Sequence, residues 1–235
     1  MKLRFVFVLI ALSALLGGCA TSPQPPIDLP ENWGASTSGK IAVAMTPLPK
    51  ADTQFPGAGC LLCLAAASVA NNSLTAHAQT LSSEDLLPLK ADIAKLLRAR
   101  GFDVNVVEEP LDVKKLPDAA SSDQNVARRN FSSLKAKYGV DKLLVIEITT
   151  LGIWRNYSAY IPTGDPKAVL KGVGYIVDLG SNRLDWYDTV NIQKSAELQW
   201  DEPPRFPGLT NAYFQAIELG RQAFIRPFEQ GSRQP

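Results

Sequence analysis

Three cysteines and a single histidine hold most of the reactive chemistry this chain could perform. Cys60 and Cys63 form a C-x-x-C within Gly57-Ala-Gly-Cys60-Leu-Leu-Cys63-Leu-Ala-Ala-Ala-Ser-Val-Ala70. That spacing suits a redox pair, half of a metal site, or a disulfide closing one turn. A metal site wants about four ligands, and beyond these two cysteines the chain offers only His77. A redox centre wants a polar or aromatic pair inside the motif, and here the pair is Leu61-Leu62 in an alanine-rich flank. The two cysteines therefore read as structural, a candidate disulfide, with exported thiol-disulfide or hydrolytic chemistry as the alternative.

The third cysteine has a different fate. Arg4-Phe-Val-Phe-Val-Leu-Ile-Ala-Leu-Ser-Ala-Leu-Leu16-Gly17-Gly18-Cys19 follows a basic start and ends in small residues before Cys19. The apolar run is shorter than the ~20 residues needed to cross a bilayer, so it reads as an export signal. A cysteine directly after the cut marks the lipoprotein kind, in which residues 1–18 are removed and Cys19 takes acyl chains such as palmitate. Ala20 rather than an aspartate follows, which resembles an outer-membrane address. Each acyl methylene contributes about 0.8 kcal/mol, so two or three chains hold firmly.

Residues 19–38 then read as a tether. Pro23, Pro25, Pro26 and Pro30 favour extended chain, about 3.1 Å per residue, which would hold the domain away from the membrane. Trp33 is expected to dock back on the domain, the alternative being that it dips into the lipid headgroups. The chain beyond suits a single periplasmic domain over 39–228, with an irregular insertion at 53–80 and a flexible tail at 229–235. With 24 basic and 23 acidic residues there is no basic stripe, so nucleic acid is not an expected partner.

The elements that must position any site follow from periodicity. Gly39 to Thr46 reads as a first strand, with Ile41, Val43 and Met45 alternating with alanines. The apolar run Cys60–Ala70 reads as a short buried helix, or as a loop touching a partner or lipid. Ser82-Ser83-Glu84-Asp85 opens a helix to about Arg100, with Leu89, Ile93, Leu96 and Leu97 on one face and Gly101 as its stop. Phe102 to Val107 alternates as a second strand, and Asp123 to Tyr138 reads as a second helix ending at Gly139. Lys142 to Leu151 is nearly all apolar and marks a central strand. Val169–Leu179 and Arg183–Ile192 make a hairpin around Gly180-Ser181-Asn182. A last helix runs from about Thr210 to Ile225. The order β-α-β-α-β-β-β-α implies an α/β fold, a mixed sheet flanked by helices in three layers.

Two segments in that layout, Arg100-Gly-Phe-Asp-Val104 and Gly139-Val-Asp-Lys-Leu-Leu-Val145, resemble a family. They are similar to the small envelope lipoproteins related to the curli-export channel and to the lipoprotein activators of penicillin-binding proteins. The amino-terminal domain of TolB has a similar layout. The resemblance implies an outer-membrane lipoprotein that assembles with itself or with envelope proteins, and it brings no catalytic residue. The stretch 53–80 departs from that layout and shows no amphipathic membrane strands, so pore formation is not implied.

No nucleophile-elbow, zincin or phosphate-loop pattern occurs. Gly172-Val-Gly174 lies inside a strand, where close packing or a bulge explains it. His77 has no acid nearby in sequence, and Asp178, Asp185 and Asp188 read as ordinary strand acids at the hairpin. No catalytic residue, metal or cofactor is assigned. The aromatic stretch after the central strand is the better candidate, because Trp, Tyr and Arg are enriched at binding hot spots. Trp154, Arg155, Tyr157 and Tyr160, joined by Trp186, are the candidate partner-binding residues. The expected partners are the lipid bilayer, through acylated Cys19, and other envelope proteins or further copies of the chain. Replacement Cys19→Ser is expected to leave the precursor uncut and unacylated, read as a slower-migrating band without incorporated fatty acid; normal maturation would refute the anchor.

Overall fold

Burial on both sides singles out one strand as the axis of the molecule. The computed structural model describes residues 23–30, 33, 39–121 and 123–229. The signal segment, Cys19, much of 19–38 and the tail beyond Glu229 lie outside the described residues. The strands are β1 (Lys40–Met45), β2 (Asp52–Gln54), β3 (Asp103–Val106), β4 (Lys142–Trp154), β5 (Tyr157–Ser158), β6 (Ile161–Pro162), β7 (Lys167–Asp178) and β8 (Leu184–Ser195). The helices are α1 (Leu61–Ala70), α2 (Asn72–Ala78), α3 (Leu89–Ala99), α4 (Ser133–Tyr138) and α5 (Pro207–Ile225).

Six strands form one mixed sheet in the order β3-β1-β4-β7-β8, with β2 also paired to β4. β1 runs parallel to β3 and to the first half of β4, from Ile41 opposite Lys142 to Met45 opposite Ile146. β2 takes over along the second half of β4, from Asp52 opposite Gly152 to Gln54 opposite Trp154. β7 is antiparallel to β4 and β8 to β7, as a hairpin whose turn ends at Asn182. The α/β class and the mixed sheet with flanking helices agree with the sequence pattern.

Both sheet faces are covered, which explains the nearly unbroken apolar run of β4. One face carries Ile41, Val43, Leu144, Ile146 and Leu170 beneath α3 and α5. The other carries Ala42, Ala44, Leu143, Val145 and Val177 beneath Leu111, Phe131, Leu134 and Val140. Gly172 and Gly174 leave room on β7 for the rings of Phe224 and Trp186. Close packing thus accounts for that pair.

Several expectations are corrected. The helix expected from Asp123 to Tyr138 is only Ser133–Tyr138. The chain before it turns at Gln124 and Asn125 and then runs without helix, with Val126 bridged to Arg183 and Arg129 to Asp118. Asn182 at the hairpin turn causes this, donating from its amide to the carbonyls of Ala127 and Arg129 and accepting from the Phe131 N–H. The helix expected from Ser82 begins as a 3-10 turn at Glu84–Leu86 and becomes α-helical only at Leu89, past Pro88. The stretch 53–80 is not irregular, since it supplies part of β2 and the helices α1 and α2.

The proline-rich tether is not a free spacer where it is described. Ile27 pairs antiparallel with Tyr187 on the β8 edge, exchanging both backbone hydrogen bonds, 2.8 and 3.1 Å. Gln24 Nε2 donates to Asn125 Oδ1 at 2.9 Å. Trp33 is buried, its ring 4.5 Å from that of Phe102 and 6.3 Å from that of Phe228. Prolines explain the docking as well as the extension, because a chain already extended loses little entropy against a sheet edge.

Gly152 marks the point where β2 joins β4. Its φ is +140°, and a Cβ there would meet the Asp52 carbonyl oxygen at 1.9 Å. Replacement Gly152→Ala is expected to cost about 3 kcal/mol, from backbone strain and overlap together. A lowered denaturation midpoint, with faster amide exchange across β2, is the check.

Candidate interaction site

Of the residues singled out in the sequence, Trp154, Arg155, Tyr157 and Tyr160 gather at one end of the sheet, and they divide into a buried support and an exposed rim. At the end of β4, Lys171 Nζ lies 3.9 Å from the Trp154 ring centroid. The Arg155 guanidinium stacks 4.7 Å over Trp200 and donates to Asn71 Oδ1 at 2.8 Å. Asn71 is buried between α1 and α2, and its amide donates to the Ala67 carbonyl at 2.7 Å and to the Tyr157 hydroxyl at 2.6 Å. Tyr157 is buried too, edge-on to Phe55. Arg155, Asn71 and Tyr157 therefore form a polar bracket that fastens α1 to the end of β4. Asn71 had no distinguishing signal as a site residue in the sequence, whereas Trp200 was legible there as a further aromatic expected on the same side.

Trp186 belongs elsewhere, which corrects its assignment to the binding surface. It is 4 % exposed and packs its ring 5.1 Å from Phe228, in the core beneath α5. Its side of β8 faces the helices, so the strand period sends it inward. Tyr160 remains on the rim, 55 % exposed, with its hydroxyl 3.7 Å from Cys60 Sγ.

Cys60 and Cys63 are joined in a disulfide, their Cα atoms 5.0 Å apart. Cys60 is also the N-cap of α1, its Sγ accepting the Cys63 N–H at 2.9 Å. The bridge closes the first turn of a helix with no acid there to favour it. Cys63 and Ala67 face inward onto Ala58 and Tyr157. The remaining residues of α1 face outward.

That outward face is the unexpected feature. The sequence pattern suggested that this apolar run is buried, yet Leu61 is 88 % exposed, Leu62 73 % and Val69 79 %. Ile161, 69 % exposed, and Tyr160 extend the surface. No Asp, Glu, Lys or Arg occurs between Asp52 and Glu84. A helix carrying apolar residues all round needs a partner on its free side. The helix is buried only on the side that meets β5, because the bracket fixes it there and nothing described covers the rest.

The groups that could do chemistry are otherwise engaged. His77 shares a 2.8 Å hydrogen bond between Nε2 and Thr210 Oγ1, and its ring lies 5.5 Å from that of Phe206, so it fastens α2 to the start of α5. Burial first, and then Arg205, lowers its pKa. Asp178 and Asp185 do come together, both paired with Lys142, while Asp188 caps the Thr189 N–H. Burial alone would raise the Asp178 pKa, but hydrogen bonds from Ser181 and Gly180 and the Lys142 charge hold it below the usual carboxylate range. Its role is to close the hairpin turn. Among the described residues no group of three or more His, Cys, Asp or Glu is placed to hold a metal ion.

No protein-family model matches the chain, and no curated protein matches it. Among solved structures it is similar to protein XCC0632 from Xanthomonas campestris, 11 % identical over 87 % of this chain and 92 % of that one, with a TM-score of 0.41. The PelC dodecamer from Paraburkholderia phytofirmans is 11 % identical over 90 % and 99 %, with a TM-score of 0.30. Lipoprotein GNA1162 from Neisseria meningitidis is 14 % identical over 77 % and 94 %, with a TM-score of 0.29. Superpositions this loose assign the chain no activity.

The His77 contact yields a pH dependence. A lowered folded-state pKa means that its contribution is complete above the unfolded value, about 6.5, and is lost as pH falls through the folded value. The melting temperature is expected to drop on acidification below that value, and part of the drop should vanish in His77→Gln. An unchanged pH profile in that variant would remove His77 from the account.

Proposed function

We propose that this chain is a lipid-anchored, non-catalytic protein of the bacterial envelope whose domain engages a protein partner through the apolar cap. The cap is the exposed face of α1 with Tyr160 and Ile161. The observation that carries the reading is the exposure of Leu61, Leu62 and Val69 on a helix held rigid by a disulfide and a buried polar bracket. A surface already ordered before contact loses little entropy on binding, so apolar area there converts efficiently into affinity. The lipid on Cys19 would confine the search to a thin layer and raise the effective concentration of the cap.

Two features support a protein over the bilayer that holds the acyl chains. The cap lacks the basic residues that draw a surface to anionic headgroups. The tether also docks at the other end of the sheet. Gln24 is held at Asn125, beside the Asn182 turn, and the cap lies past Trp154, the length of β4 away. At about 3.3 Å per strand residue, β4 spans roughly 40 Å. The chain from Cys19 to Gln24 reaches only about 18 Å when fully extended. Outer-membrane anchoring with the domain in the periplasm places the cap on the membrane-distal side. The resemblance drawn from Arg100–Val104 and Gly139–Val145 supports a scaffold of the same kind.

One observation favours a second reading, thiol-disulfide exchange. Cys60 is exposed at a helix N-cap, where the Cys63 N–H would stabilise its thiolate after reduction. Both readings are separable in the full-length protein in its own membrane. A photo-crosslinking side chain at Leu62 is expected to give one discrete protein adduct, with none from a control at Lys95. Lipid-only adducts would overturn the protein-partner reading. Loss of a thiol-oxidising activity in Cys60→Ser and in Cys63→Ser would favour exchange over scaffolding.

A further inference from the structure

A groove runs beside the cap, on the flank of α1 that faces β2. Its volume is about 450 Å³, within the range of ~300–1,000 Å³ typical of small ligand sites. The helical wall is a stripe of Leu64, Ser68, Asn72, Thr75 and Gln79, and the opposite wall is β2 with Phe55. Hydrogen bonds from the Asn71 N–H to Ala67 and from the Thr75 N–H to Asn71, 3.1 and 2.9 Å, carry the stripe across the break between α1 and α2. The walls are joined at one end, where the Thr53 and Thr75 hydroxyls lie 2.5 Å apart and Gln79 Nε2 donates to Asp52 Oδ1 at 3.1 Å. Past that end Gln54 and Asn72 stand exposed on opposite walls, and neither amide has a partner among the described residues. Ser68 donates to the Leu64 carbonyl at 2.8 Å, which leaves its oxygen able to accept. Asp52 is the only charged residue in the lining, and its Oδ1 also takes the Thr53 N–H.

We infer that this groove binds a short, extended and uncharged segment of polypeptide. An extended chain turns its backbone N–H and C=O groups alternately to its two sides, so a peptide lying along the groove presents both kinds to both walls. Side-chain amides donate and accept, and so can answer either kind. A bound helix would bring none, its backbone being paired within itself. The pitch agrees as well. Residues four apart on a helix rise about 6 Å, and every second residue of an extended chain advances about 6.8 Å. Leu64, Ser68 and Asn72 are therefore spaced to meet every second residue of such a chain. With no cation in the lining and its one carboxylate already hydrogen-bonded, the groove favours a segment without charge. Phe55 and Leu64, at the other end of the two walls, offer apolar surface to an aliphatic side chain.

The inference does not rest on the exposed Leu61 and Leu62, which lie outside the groove. Its test uses the full-length chain in its own membrane, with a photo-crosslinking side chain at Leu64 or at Ser68. Both probes are expected to mark one uncharged stretch of polypeptide, at residues two apart when the adducts are digested and mapped by mass spectrometry. Asn72→Asp keeps the size of an exposed side chain in the first turn of α2 while removing its N–H donors and adding a charge. It is expected to cut the Ser68 adduct about tenfold, the loss of one hydrogen bond with its partner left unpaired. Marked residues four apart, as a bound helix would give, or adducts with saccharide or lipid alone would overturn the inference. So would no adduct at either probe, or an unchanged yield in Asn72→Asp. A protein adduct from Leu62 with none from Leu64 or Ser68 would retain the cap and overturn the groove; the opposite pattern would support the groove without the cap.

Discussion

The burial of β4 on both faces is the constraint from which the rest of the structure follows. A strand of 13 residues with apolar side chains on either side must be covered twice, and the chain does so unevenly. β1 matches only its first half, so the second half needs another neighbour. β2 supplies it, and the chain leading from β2 to α3 must then fold over the end of the sheet as α1 and α2. The apolar cap is in this sense a consequence of the length of β4. β7 and β8, drawn out to match the same strand, leave a long edge on the far side.

The two ends of the sheet each carry a polar device with a packing purpose. Asn71 hydrogen-bonds both Arg155 and Tyr157 at a helix break that would otherwise leave its own amide buried and unpaired. At the opposite end Asn182 plays a comparable part, replacing a helix turn with side-chain hydrogen bonds that pin the segment before α4. Between the two ends Glu147 sits half-buried on β4, and its burial pushes its carboxyl up while Lys114 opposes the shift. None of these groups converges on a cavity. They hold surfaces in place, which suits a protein that acts by presenting them.

How much could be read beforehand depended on whether the signal was local. The strand patterns around Ile41, Ile146 and Ile176, the stop at Gly139 and the hairpin at Asn182 are short-range features that survive folding. The helix expected across Asp123–Tyr138 failed because Asn182, distant in sequence, offers its backbone better partners than a helix would. Trp154, Arg155, Tyr157 and Tyr160 lie together past the end of β4, whereas Trp186 sits on β8 with its side chain in the core. Composition told nothing of facing.

By itself the sequence determined the α/β alternation and the two-sided central strand, and it carries the pattern on which the proposed anchor at Cys19 rests, because each is written in contiguous residue types. Only the tertiary structure decided which apolar residues are left outside. Leu61 and Leu62 look no different in sequence from Leu143 and Leu144, and one pair is exposed while the other is fully buried. Burial is set by the number of neighbours that reach a residue in space. That number depends on where β2, α1 and the tether come to rest against β4 and β8, over separations that no local pattern encodes.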